Sequence, residues 1–325
     1  MAGQAFDRRL LWLLLLPLAV YVLVYVVVDQ VRPTGLSFAT IPTKQFAEAA
    51  PAEALHRYFW LSAFLMLTAV SLAVAASAAL ALFRETPPRD RRLVFALFAA
   101  VALAVVVSEA AGVAQRWYTY LGNGLFVSIF SQVAIDGIGS ALHVFKVAQE
   151  VIKGASAVAI LLLAACLLMT LTRPGGDRPL AERAEALAAA IARQRIYLQQ
   201  TALVYVFAVL AMLSWMYWPL PFLASEAVRA DYKDVVMGAA VLQGVVFTIG
   251  VAAIYLPPAL LLRRRAELLA QGIGPSASVD PETRAALSPL APHPFDQIRQ
   301  VATIVMPALV GLMPVLNDLL GLSIA

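Results

Sequence analysis

Six stretches of the chain run for about 20 residues or more with almost no charge, the length a helix needs to cross a hydrocarbon layer of roughly 30 Å. They cover 10–28, 58–83, 93–114, 154–172, 201–225 and 235–262, the third interrupted near its end by Glu109. A seventh, 300–317, is uncharged but short, and it carries Pro307, Gly311 and Pro314. Helices satisfy their own backbone hydrogen bonds in lipid, so each stretch predicts a transmembrane helix. The expected fold class is an all-α, polytopic integral membrane helical bundle of six or seven spans.

Two further segments show helical periodicity without that length. Between 125 and 150, Ser128, Gln132, Asp136, Gly139, His143, Lys146 and Glu150 recur at intervals of three and four, while Phe126, Ile129, Val133, Leu142 and Phe145 occupy the opposite side. Such a pattern predicts an amphipathic helix. Gly122, Asn123 and Gly124 supply a turn before it, so it lies on the membrane surface or dips back to line a polar path. At 180–198, Leu180, Ala184, Leu187 and Ile191 make a second, narrower apolar face that leads straight into the fifth span. The segment 263–299 is rich in Pro and Ala, with a helix start at Asp280, Pro281 and Glu282. In 300–325 the apolar face set by Val301, Val305, Leu309, Leu312 and Leu316 fits an interfacial or re-entrant helix or a seventh span; the prolines favour a kinked segment packed on the bundle.

Composition agrees with lipid as the solvent. The 325 residues are 62% apolar and 14% charged, with a mean hydropathy of +0.81, against about 25% charged in a water-soluble domain. A formal net charge of +4 would suggest an anionic partner if the bases were clustered on one surface. Instead they sort by membrane side. With the N-terminus inside, sixteen of the 24 Lys and Arg fall in inner segments and eight in outer ones. The inner ones abut span ends, as at Arg91 and Arg92 and at Arg263, Arg264 and Arg265. That bias is the signature of cytoplasmic loops. The chain is therefore expected in a cell inner membrane, multi-pass, with its N-terminus cytoplasmic and no nucleic-acid partner. The uncharged core of the first span is longer than that of a cleaved signal and no small-residue cleavage site follows, so it reads as a retained anchor.

Chemistry is harder to find. The histidines are His56, His143 and His293, and there is one cysteine, Cys166. No nucleophile with a paired base, phosphate-binding glycine loop or metal-ligand spacing is present, so neither catalytic residues, a metal nor a cofactor is assigned. The span cores lack the buried carboxylate or histidine on which proton-coupled transport depends. Small residues are abundant at 73–79 and at Gly238, Ala239, Ala240 and Gly244, faces that let helices approach closely within one chain or between copies.

The reading these features support is a self-associating pore or channel without enzymatic chemistry, in a lipid bilayer and as a homo-oligomer. Its mouth candidates are the polar stripe at Ser128, Gln132, Asp136 and His143 with the span-end acids Asp29, Glu109 and Glu226. The alternative is a non-conducting scaffold or sensor subunit that binds a cytoplasmic protein through its inner segments. Sidedness can be checked directly: Arg89→Cys is expected to resist a membrane-impermeant thiol reagent on intact cells and to react once the membrane is opened. Labelling on intact cells would reverse the topology.

Overall fold

The computed structural model describes residues 36–85, 138–172, 179–271 and 294–319, with a few single positions outside them. The predicted spans at 10–28 and 93–114 and the inner segment at 272–293 lie outside the described residues. Within the described residues the chain is helical apart from turns and one isolated bridge. The five long helices are α1 (Phe46–Glu85), α2 (Ile138–Met169), α3 (Leu180–Tyr217), α4 (Glu226–Gln271) and α5 (Pro294–Leu319). Each contains a segment long and apolar enough to cross a membrane.

Length separates these helices from simple spans. α1, α3 and α4 contain 40, 38 and 46 residues, or about 60, 57 and 69 Å at ~1.5 Å per residue. Each is about twice the hydrocarbon thickness, so part of each projects beyond it. α2 also differs from its expected plan. From Ile138 to Met169 it is one helix, so the second half of the predicted surface helix runs on into the fourth apolar stretch without a turn. Only Gly139 and Gly154 could have weakened it, and single glycines cost a helix only about 1 kcal/mol.

α3 is the hub. It packs against all four of the others, and half of its apolar window is buried, compared with 11% for α5. α1 and α2 lie side by side and point the same way: Ser71 bonds Ser156 (3.1 Å) and the Cys166 thiol donates to the carbonyl of Ala78 (3.3 Å). α3 runs opposite to α1, as the contact of Trp60 with Trp218 shows. α5 runs opposite to α4 and beside α3, to which Asp296 is tied by Arg195 (2.9 Å).

The small-residue stripe of the sixth predicted span is used within the chain. A Cβ placed on Gly244 would lie 2.6 Å from the carbonyl oxygen of Pro307, and one on Gly311 would strike the carbonyl of Ala240. α4 and α5 therefore meet backbone to backbone. α5 stays a single helix through Pro307, where the amide of Ala308 finds an acceptor in Thr248 Oγ1 of α4 (3.1 Å). A neighbouring hydroxyl is how lipid-embedded helices tolerate proline. On their outward sides Leu65, Leu260, Phe295 and Ile298 are all more than half exposed, as lipid contact permits and water does not.

The glycine contact gives a clean test. Gly244→Ala and Gly311→Ala push a methyl group into main chain, an overpacking cost of about 1–3 kcal/mol that outweighs the gain in helix propensity of about 0.5–1 kcal/mol. Gly238, with nothing within 4 Å of such a methyl, gains only the propensity. Thermal unfolding in detergent should show the first two variants melting lower than the parent and Gly238→Ala no lower.

Candidate functional site

One end of the bundle is closed by a polar and aromatic latch. The residues before α1 meet the turn between α3 and α4: the amide of Ile41 donates to the carbonyl of Phe222 (2.9 Å) and that of Ala224 to Ala39 (3.0 Å). α3 ends at Tyr217 because Pro219 and Pro221 follow, and a short 3-10 turn, Leu220–Phe222, brings the chain round. A helix end leaves carbonyls without partners. Here the buried Tyr232 hydroxyl of α4 donates to the carbonyl of Met216 (2.7 Å), and Phe38 meets the Tyr232 ring edge-on.

Glu53 sits at the centre of this latch with only 3% of its surface exposed. Its two oxygens accept from the Arg57 guanidinium, with Nε at 3.0 Å, and Oε1 also accepts from the Trp218 indole. Three donors around one carboxylate make its burial tolerable. Glu53 lies just ahead of the apolar stretch 58–83, and its burial was not among the expectations drawn from sequence. Trp218 in turn stacks on Trp60, with centroids 5.0 Å apart and planes 22° apart.

Trp60 is also a wall of a cleft of about 90 Å³ among α1, α2, α3 and α4. Its polar lining is Gln149 and Lys153 from α2 and Gln243 from α4. Trp60 and Trp215 stand on the latch side, and Leu67, Ile152, Met212 and Phe247 make the rest mostly apolar. Lys153 is 17% exposed along its side chain and pairs with Glu150 (2.8 Å), whose own side chain is 64% exposed. Gln243 is buried, and its Oε1 has no hydrogen-bond partner. A buried carbonyl oxygen without a partner costs free energy in any environment and more in a low dielectric. The cleft therefore combines a cation, two amides, two indoles and an apolar floor.

Of the expected mouth residues only Glu226 has a described side chain. Glu226 is at the first turn of α4, 79% exposed along its side chain and paired with Arg229 (3.3 Å); it does not line the cleft. His143 belongs to α2 by its backbone, while its side chain lies outside the described residues, as do Asp29, Glu109, Ser128, Gln132 and Asp136. Among the described residues no three His, Cys, Asp or Glu side chains come together. The missed residues had a partial signal. Lys153 continues the polar stripe one turn past Glu150, and Gln243 is a lone amide in the apolar stretch 235–262. Compared with known proteins, the chain matches no protein family, no curated sequence and no solved structure.

The latch predicts an ordered set of stabilities. Glu53→Gln keeps an acceptor for the Trp218 indole and is the mildest change. Arg57→Ala takes the half-exposed counter-charge from a buried carboxylate, a loss smaller than the about 3–5 kcal/mol of a fully buried pair because water reaches the arginine side. The double variant should melt higher than Arg57→Ala alone, the coupling that a double-mutant cycle measures; additive losses would mean that the pair does not act as a unit.

Proposed function

We propose that the chain is a non-conducting sensor subunit of a cell inner membrane, with its N-terminus in the cytoplasm. The α1–α4 cleft takes a small ligand, and the projecting ends of α3 and α4 meet a cytoplasmic partner. One observation carries this reading: the helix that supplies Ala208, Ala211, Met212 and Trp215 to the cleft is the same unbroken helix that begins at Leu180, ahead of the apolar stretch 201–225. A rigid helix spanning both places passes a shift at one end to the other, because packed helices slide or tilt as units.

The projecting end is organised to hold a fixed shape. Arg265 of α4 donates to the carbonyl of Leu171 at the end of α2 (2.7 Å), as a cation near a helix C-terminus favours. Arg195 of α3 reaches Asp296 of α5. Arg263 and Glu267 pair on the exposed side. In the orientation given by the arginines, this end faces the cytoplasm, and the latch of Trp218 and Glu53 faces outward.

A pore between copies is the second reading. Its support is the outward face of α1, where Ala69, Ala73, Ala76 and Ser77 are exposed and would let helices of two copies approach. Within one chain α3 fills the middle of the described bundle, and the Gly244 face is taken by α5. These observations favour the sensor.

Two measurements separate the readings. Protein reconstituted in a planar bilayer is expected to give no unitary current, and a photo-crosslinking residue at the exposed Ala192 of α3 should form a defined adduct with one partner in cells, absent when the same residue stands at the lipid-facing Leu65. Reproducible currents with no adduct at Ala192 would replace the sensor with the pore.

A further inference from the structure

α5 touches the rest of the bundle at successive levels along its length. At its start Asp296 is held by Arg195 of α3 (2.9 Å). Just over two turns later Ile304 packs on the apolar cluster that contains Tyr255 and Leu262, on the side where the arginines of α4 stand. Further on, Val310 packs on the other cluster, built around Trp60, Trp218 and Tyr232 at the latch. From Ala308 to Gly311 the partners in α4 move from Thr248 back to Ala240, toward Tyr232. Leu319 lies eight residues beyond Gly311, about 12 Å at ~1.5 Å per residue, and Ala240 is equally far from Tyr232. The end of α5 therefore draws level with the latch.

Its composition suits a crossing and not a surface. Asp296 and Arg299 stand at one end and Asp318 at the other, with no charge between them. A helix lying in the interface carries a polar face along its length; between Ile304 and Leu316 this one has no polar side chain. The hydroxyl of Thr303, just before, donates to the carbonyl of Arg299 (2.8 Å). The apolar segment Phe295–Leu316 has 22 residues, about 33 Å of helix against roughly 30 Å of hydrocarbon.

From register and composition together we infer that α5 is a full transmembrane span, that the chain leaves it on the latch side of the membrane, and that lipid acyl chains cover its exposed face of Ile298, Met306, Leu309, Met313 and Leu316. The inference goes beyond the sensor reading and does not rest on it. Acyl chains are the occupant because helices that meet in lipid do so through small residues. Ala308 and Gly311, the small residues in the middle of α5, are already turned to α4. What remains outward at that depth is long and flexible, as a fluid neighbour allows.

Cysteine accessibility in cells tests this on the full chain. Cys166→Ser is the background, since serine keeps a donor for the carbonyl of Ala78. With a membrane-impermeant maleimide, Asn317→Cys is expected to label fully on intact cells and Gln297→Cys only after the membrane is opened. Leu309→Cys should resist the reagent in both conditions. A nitroxide at that position in liposomes should be relaxed by dissolved oxygen more than by a water-soluble nickel chelate, and oxidation should give no disulfide-linked dimer. Should Asn317→Cys fail to accumulate, Ser323→Cys reads the same side.

Labelling of Gln297→Cys and Asn317→Cys from one side would overturn the crossing. Relaxation of the Leu309 nitroxide chiefly by the nickel chelate would give the face to water, and a dimer through Leu309→Cys would give it to a second copy; either would overturn the lipid contact. Exchange of the two labelling results would support the crossing and reverse only the orientation of the bundle, which Arg89→Cys reports independently. The Ala192 adduct is read without any of these variants, so the sensor reading stands or falls separately.

Discussion

α3 is the constraint around which the rest is arranged. Helices in lipid are not driven together by the hydrophobic effect, since lipid tails are as apolar as the side chains; close packing and a few hydrogen bonds must do it. α3 supplies the packing by running between the other four. Val204, Val209 and Met216 along it are fully buried. The hydrogen bonds sit mostly where the other helices meet one another: Ser71 with Ser156, Cys166 with Ala78, Thr248 with Ala308. Each joins a different stretch of helix, so they fix register along the bundle rather than one contact point.

The latch and the cleft are mechanically one structure. Glu53 fixes Trp218, Trp218 stacks on Trp60, and Trp60 is a wall of the cleft. The orientation of that indole is thus set, through Trp218, by a buried carboxylate paired with a half-exposed arginine. Burying a carboxylate beside an arginine seldom adds net stability over a well-packed apolar alternative. What it does offer is a single geometry: Arg57 fixes the carboxylate from within α1, and the Trp218 indole N–H reaches that carboxylate only when α1 and the end of α3 stand in one register.

Much of the architecture could be read from the sequence because hydrophobic length and periodicity are local properties. The apolar stretches at 58–83 and 235–262 fall within described helices, those at 154–172 and 201–225 overlap α2 up to Met169 and α3 up to Tyr217, and the prolines after Trp218 mark where α3 stops. The parts that were not legible depend on contacts between distant segments. Glu53 looked like one of several acids outside the membrane; its burial is decided by Trp218, 165 residues away. The stripe of Ala240 and Gly244 was visible, but whether it served a second copy or the same chain depended on where Gly311 would lie. The role of the polar stripe before α2's apolar part could not be read for a different reason: such a stripe suits an interface and equally a polar cavity, and only neighbouring helices distinguish the two.

Gln243 shows why an amide can mark a site better than a charge in such a protein. A lone charge at that depth would be neutralised or would draw in a counter-ion, and its partner would already be present. An amide is tolerated at a cost small enough to persist without one, so an unmet acceptor can wait for a ligand. Lys153 is the complementary case: its charge is kept by Glu150 at the rim, where exchange with water is cheap. The bundle thus holds a buried acceptor without a hydrogen-bond partner beside a cation whose pair with Glu150 reaches water, two ways of keeping a polar group among apolar helices.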